Sequence, residues 1–424
     1  MAKIKKIMSR EILDSRGYPT VETKVVLEDD HFGTSSIPSG ASTGTFEAHE
    51  LRDHDNLRFD GQGVLKAVNN VTGVIGPKII GLDASEQEKI DKTLISLDGS
   101  ENKEKLGANA ILSVSIACLK AQAASLQLPV YRYIAEAIIG KKDKSYRMPT
   151  PLFNVLNGGK HGAGNLEFQE FLIAPSQVKV YPTGLQIGSE VYYSLKKVLD
   201  YKNAIHSVGD EGGYAPNLYT NADALEIITE AISQTPYALG KDVFMGIDIA
   251  SGHFMNEEKK YVIKDRSNPM TSTELIDFYK DLTARYLLLI LEDPLGEEEW
   301  QAWTELTKFM GSQLLIVSDD LTATNKTRLE KAIQARAANA ILTKPNQIGT
   351  ITETLEVVKT AQDAKWKVVM SHRSGETNDD FIADLAVAVG ADYAKFGAPA
   401  RGERVVKYNR LSEIYNSLIH SQQL

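Results

Sequence analysis

The chain has 424 residues, 42% hydrophobic and 24% charged, with a formal net charge of -9, which is ordinary globular material long enough for a barrel-sized core and a second domain. The acidic balance and the lack of a Lys/Arg-rich block exclude nucleic acid as the primary ligand, because phosphate backbones demand clustered cations. No apolar run reaches the roughly 20 residues of a bilayer span, the first ten residues lack the pattern of a secretion signal, and a single cysteine rules out an internal disulfide. Together these predict a cytoplasmic protein.

The first 37 residues read as strands. Ile4–Leu13, 21–27 and 32–37 alternate apolar with polar side chains and are separated by Gly17-Tyr18-Pro19 and Glu28-Asp29-Asp30, the pattern of a meander. Helical periodicity follows at 63–74, 84–97, 107–126 and 129–139, giving an α+β domain over 1–139. Cys118 lies in the apolar run 107–126, where a cysteine behaves as a small buried hydrophobe. The charged stretch 140–147 reads as a linker.

Beyond it, short apolar strands alternate with amphipathic helices. The strands are 243–247, 287–291, 314–318, 340–343, 368–371 and 392–394; the helices lie near 273–285, 297–310, 325–337, 351–364 and 379–389. Such alternation means parallel strands with crossover helices. Upstream, 167–174 and 205–208 are candidate strands and 183–201 and 223–235 candidate helices, which brings the total to about the eight strands of a closed barrel. The fold class expected is α/β: a modified, TIM-like β/α barrel over 140–424, preceded by a smaller α+β lid.

Each apolar run of the barrel ends on an ionisable residue: Asp248, Glu292, Asp319, Lys344, His372 and Lys395. In a β/α barrel those ends open onto one face, where active sites sit. One such acid would be explained as a helix cap; six chemically active groups at six strand ends call for a common site. Three carboxylates without cysteine, and without histidines at zinc-ligand spacing, make a hard oxygen site suited to Mg²⁺ or Mn²⁺. A dication held there would disfavour the charged form of a neighbouring lysine, fitting Lys344 for the role of base.

Nearly the whole chain resembles the enolase family. The matching stretches include Leu13-Asp-Ser-Arg-Gly, Pro38-Ser-Gly-Ala-Ser-Thr-Gly44, Asn157-Gly-Gly-Lys-His161, Gln169-Glu-Phe171, Val208-Gly-Asp-Glu-Gly-Gly213, Ser318-Asp-Asp-Leu321, Lys344-Pro-Asn-Gln-Ile-Gly-Thr350 and Ser371-His-Arg-Ser-Gly-Glu-Thr377. The resemblance implies a barrel that begins with two strands and two helices, one strand running antiparallel. It also implies the Mg²⁺-dependent, reversible dehydration of 2-phospho-D-glycerate to phosphoenolpyruvate and water in glycolysis and gluconeogenesis. Lys344 would be the base, and Glu211 with Glu170 the acid. Substrate would be bound by His161, Gln169, His372, Arg373, Ser374 and Lys395. Asp248, Glu292 and Asp319 would hold one metal, and Ser42, on a mobile loop over 39–44, would reach a second that arrives with substrate.

The family further implies a homodimer or homo-octamer. Some relatives bind plasminogen at the cell surface or join RNA-degrading assemblies, so an enolase-like protein kept for such a moonlighting role is the alternative expectation. The terminal lysine used for plasminogen is absent here, since the chain ends Ser421-Gln-Gln-Leu424. Acid-sugar dehydratases and racemases of the wider superfamily carry a lysine pair where this chain has Gln169-Glu170. Departures from the usual family pattern are Tyr18, Gly252-His253, Phe396 and Gly402.

Overall fold

The computed structural model describes residues 2–40, 44–143, 145–159, 162, 166–264 and 266–422. Three antiparallel strands open the chain: β1 (Ile4–Leu13), β2 (Pro19–Leu27) and β3 (Phe32–Ser36). Leu13 pairs with Pro19 across the first turn and Glu22 with Ser36 across the second. The meander read from the sequence is therefore present.

The helix Ala108–Ser125 packs on this sheet and is apolar on all sides rather than amphipathic. Its burial pattern has a physical cause. One face enters the core of the first sheet, through Ile111, Val114 and Cys118, while Leu112, Ile116 and Leu119 join the core around the barrel. Contact with the sheet is close enough that a Cβ on Gly33 would lie 2.3 Å from the Ala117 carbonyl oxygen, so only glycine fits there. No single helix among the described residues is long and apolar enough to cross a membrane.

Eight strands close a barrel in the order β10-β11-β4-β5-β6-β7-β8-β9. They are β4 (Thr150–Asn157), β5 (Glu170–Pro175), β6 (Val243–Asp248), β7 (Leu288–Glu292), β8 (Leu315–Ser318), β9 (Ala340–Thr343), β10 (Lys367–Ser371) and β11 (Tyr393–Lys395). Leu152, Ala174, Ile290, Val317, Leu342 and Val369 fill the interior. Helices form the outer layer and are started by local capping: Thr271 and Thr220 make capping boxes with Glu274 and Asp223, satisfying N–H groups that a helix start leaves open.

Two strand assignments differ from expectation. Residues 205–208 form no strand; Val208 makes only an isolated bridge to Tyr214. The first barrel strand is β4 instead, which Pro151 and the two asparagines Asn154 and Asn157 disguised in the sequence. It is buried almost throughout, so it has no alternating pattern to read, and its Asn154 donates to Glu211 in the site. β5 pairs antiparallel with both β4 and β6. That reversal brings the first residue of β5, Glu170, opposite Asp248, the last residue of β6.

Candidate active site at the carboxyl ends of the barrel

Strand register builds the site. Asp248 is paired with Glu292 across β6 and β7, and Ser371, just before His372, is paired with Lys395 across β10 and β11. Asp319 and Lys344 each follow a strand end directly. Glu211 arrives from a loop: the Tyr214 N–H donates to the Val155 carbonyl at 2.9 Å, and the Glu211 carbonyl accepts from the Ala398 N–H at 2.9 Å. These bonds pin the loop between β4 and the segment after β11.

Lys395 is the hub. Its Nζ lies 3.1 Å from Asp248 Oδ2, 3.1 Å from Glu170 Oε2 and 2.9 Å from both carboxylate oxygens of Glu292. Burial works against its charge, but the three carboxylates outweigh that and hold Lys395 protonated. One ammonium does not neutralise three acids, so Glu292 is pushed up, by burial first and by Asp248 next.

A second ion pair stands alongside. Lys344 Nζ is 2.5 Å from Asp319 Oδ2, and Gln347 Nε2 donates to Asp319 Oδ1 at 3.0 Å. Although Lys344 is buried, Asp319 keeps it protonated. The Asp319 and Asp320 N–H groups donate to the two oxygens of Asp293 at 2.9 and 2.8 Å. Asp293, Asp319 and Asp320 each offer an oxygen within 4.8 Å of the others. Burial and the neighbouring Asp319 charge push Asp320 up to about 7.

The third group surrounds Glu211. Its two oxygens accept from Asn154 Nδ2 at 2.9 Å and Ser374 Oγ at 3.1 Å, and His372 Nε2 is 3.8 Å away. Arg404 Nη1 lies 2.6 Å from His372 Nδ1. A guanidinium only donates, so Nδ1 accepts and the ring proton sits on Nε2, facing Glu211. Burial, reinforced by Arg404, lowers the imidazole well below its usual range even though Glu211 opposes this; His372 is a neutral donor.

Most of these groups line one small cavity of about 40 Å³, although Glu292, Asn154, Gln347 and Arg404 are not part of its wall; that wall carries seven carboxylates against three permanent cations among the described residues. Buried charge needs partners, and this surplus of hard oxygen donors fits one or more divalent cations of the Mg²⁺ kind. Of the three acids singled out in the sequence, Asp248 and Asp319 line this cavity and Glu292 is buried beside it; Asp248 and Glu292 converge on Lys395, whereas Asp319 clusters with Asp293 and Asp320. Gln169, buried just before Glu170, lines the same cavity. Ser42 and His161 lie outside the described residues.

Several members were not foreseen. Asp293 and Asp320 each follow a singled-out acid, and the signal was the doublets Glu292-Asp293 and Asp319-Asp320. Arg404 is fully buried on the last helix, and nothing in its sequence context distinguishes it from a solvated helix arginine. Glu47, bonded to Arg373 at 2.7 Å, sits far from the barrel in sequence and carried no signal.

Residues 4–134 match the family model described as the enolase N-terminal domain, and residues 145–423 match the enolase C-terminal TIM barrel domain. A relative named "Enolase" from Helicobacter pylori (strain G27) is 46% identical over 418 residues, covering 99% of this chain and 97% of the relative.

Proposed function

The chain belongs to the enolase family and is thus a carbon–oxygen lyase of the phosphopyruvate hydratase type, and we propose that it interconverts 2-phosphoglycerate and phosphoenolpyruvate with Mg²⁺, using the side chains that converge on the barrel mouth. On this reading residues 1–139 form the lid and 140–424 the catalytic barrel. The observation that carries the proposal is the pairing of two lysines with an excess of buried carboxylates, Lys344 on one side of the cavity and Glu211 with Glu170 on the other.

Lys344 removes the proton from C2 of the substrate. Electrons left on C2 spread into the adjacent carboxylate, whose new charge Lys395 faces and stabilises. Those electrons then form the C2–C3 double bond as the C3–O bond breaks, and the departing hydroxyl takes a proton from Glu211 and leaves as water. Glu170, across the strand from Asp248, adds negative charge that helps keep the acid protonated until that step.

Asp248, Glu292 and Asp319 would hold the divalent cation, with Ser42 as a ligand to a second. Such ions supply electrostatic stabilisation of the substrate carboxylate, and by engaging Asp319 they would remove the partner that keeps Lys344 protonated. Arg373 and Ser374 suit the phosphate, as a planar fork and a hydroxyl; His372 offers its Nε2 proton, Gln169 lines the same cavity, and His161 is assigned to substrate from the family motif alone. The test is to follow the ultraviolet absorbance of phosphoenolpyruvate with the purified protein. Signal that requires Mg²⁺ and disappears with chelator is expected, and its absence at saturating Mg²⁺ would refute the reading.

A further inference from the structure

Arg373 already holds an anion, and that anion is part of the protein. Its Nη1 donates to Glu47 Oε2 at 2.7 Å and its Nη2 to Glu47 Oε1 at 3.3 Å, a two-pronged pairing between side chains that are each 5% exposed. Among the described residues Glu47 is the only one from the first 139 that lines the cavity; every other lining residue belongs to the barrel.

The cavity is too small for a phosphorylated three-carbon acid, since about 40 Å³ accommodates roughly three waters. Something must move for such a molecule to enter. The backbone around Glu47 is held from outside: Thr45 Oγ1 donates to Glu297 at 3.0 Å, the Phe46 ring lies under the Arg328 guanidinium at 3.5 Å, and the Ala48 N–H donates to the Gln347 carbonyl at 2.8 Å. The side chain is tethered more lightly, by the Gly44 N–H at 3.0 Å and Gln347 Nε2 at 3.4 Å.

We propose that Glu47 is a built-in competitor for the phosphoryl group, occupying the Arg373 fork until a dianionic phosphate ester displaces it. This rests on the reading of Arg373 as the phosphate ligand given above. The exchange leaves the buried guanidinium paired both before and after it, which avoids a lasting orphaned charge. A single carboxylate on an incoming molecule carries no more charge than Glu47 and gains nothing by replacing it. A phosphate, with nearly two charges and three oxygens, does gain, so Glu47 acts as a specificity-determining residue that screens out unphosphorylated acids.

The test is calorimetric titration of inorganic phosphate into the full-length wild-type protein, Glu47→Gln, Glu47→Asp and the double variant Glu47→Gln/Arg373→Met, all at fixed Mg²⁺. Glu47→Gln should bind phosphate about tenfold more tightly than wild type, the factor expected if the fork is free in roughly a tenth of wild-type molecules. Glu47→Asp, whose carboxylate is withdrawn by one methylene, should fall between them, and it decides the matter alone if the glutamine variant does not fold. The double variant should lose the gain. Equal or weaker binding in the Glu47 variants, or tight binding that survives loss of Arg373, would overturn the proposal. Wild-type protein that turns over no 2-phosphoglycerate would defeat the functional reading while leaving this ranking of phosphate affinities intact.

Discussion

Lys344 Nζ rests 2.5 Å from Asp319 Oδ2, so the lysine proposed to accept a proton is held protonated by the acid proposed to bind metal. Base and ligand are thus coupled before substrate arrives. Lys344→Ala should abolish exchange of the substrate C2 proton with solvent and lower kcat by about 10³-fold or more, while Mg²⁺ binding persists. Exchange retained in the variant, followed by proton NMR in D₂O, would remove Lys344 as the base.

Cation binding has a readout independent of turnover. Because the cavity wall holds more carboxylates than cations, Mg²⁺ should stabilise the native protein by about 2.7 kcal/mol at a hundredfold excess over Kd. Thermal denaturation with and without Mg²⁺ checks this, and Asp319→Asn should remove most of the shift. A wild-type melting curve indifferent to Mg²⁺ would contradict the site.

Arg404 is fully buried and donates to the carbonyls of Asp210, Arg373 and Ser374 as well as to His372. Arg404→Met leaves those acceptors unpaired and should cost about 3 kcal/mol or more of stability, measured by urea unfolding. It should also move the His372 imidazole upward by removing the Arg404 charge, while burial, the larger cause, still holds it below its usual range; the midpoint of its NMR titration should therefore rise relative to wild type.

Asp379 joins the N-terminal domain to the barrel, accepting from Lys120 Nζ at 2.6 Å and from the Ser36 N–H at 2.9 Å. Burial opposes its charge, but Lys120 wins and holds Asp379 below its ordinary value of 3.8. The native state therefore binds fewer protons than the unfolded chain in the window between the lowered value and 3.8. Its contribution is complete above that window and is lost as pH falls through the lowered value. Asp379→Asn should cost about 3 kcal/mol at pH 7 and flatten the acid limb of a stability-against-pH curve.

Cys118 is fully buried, and burial pushes its thiol far above the usual range. It should resist alkylation at pH 8 in the native protein and react at the ordinary thiol rate in denaturant, as mass spectrometry after iodoacetamide treatment would reveal. Rapid native labelling would mean that the core of the N-terminal domain opens locally.

The sequence was most informative where one physical rule acted alone. β2 and β3 alternate because one face is buried, and the row from Asp248 to Lys395 appears because parallel strands all end at one rim. β4 was missed since burial on both faces erases alternation. Glu47 and Arg404 were missed for a different reason: each gains its role from a partner more than thirty residues away or across domains, through packing that local pattern does not encode. Asp293 and Asp320 lay between these cases, adjacent to residues already singled out.

The closure of the barrel also sets its charge balance. β11 seals the ring by pairing with β4, joining segments from opposite ends of the barrel sequence, and β11 carries Lys395. Without β11 in place, Glu170, Asp248 and Glu292 would crowd together with their shared ammonium missing. The same lysine that would later face the reacting carboxylate thus rewards correct closure: a ring short of this strand keeps an electrostatic fault at its mouth, and docking the strand relieves it.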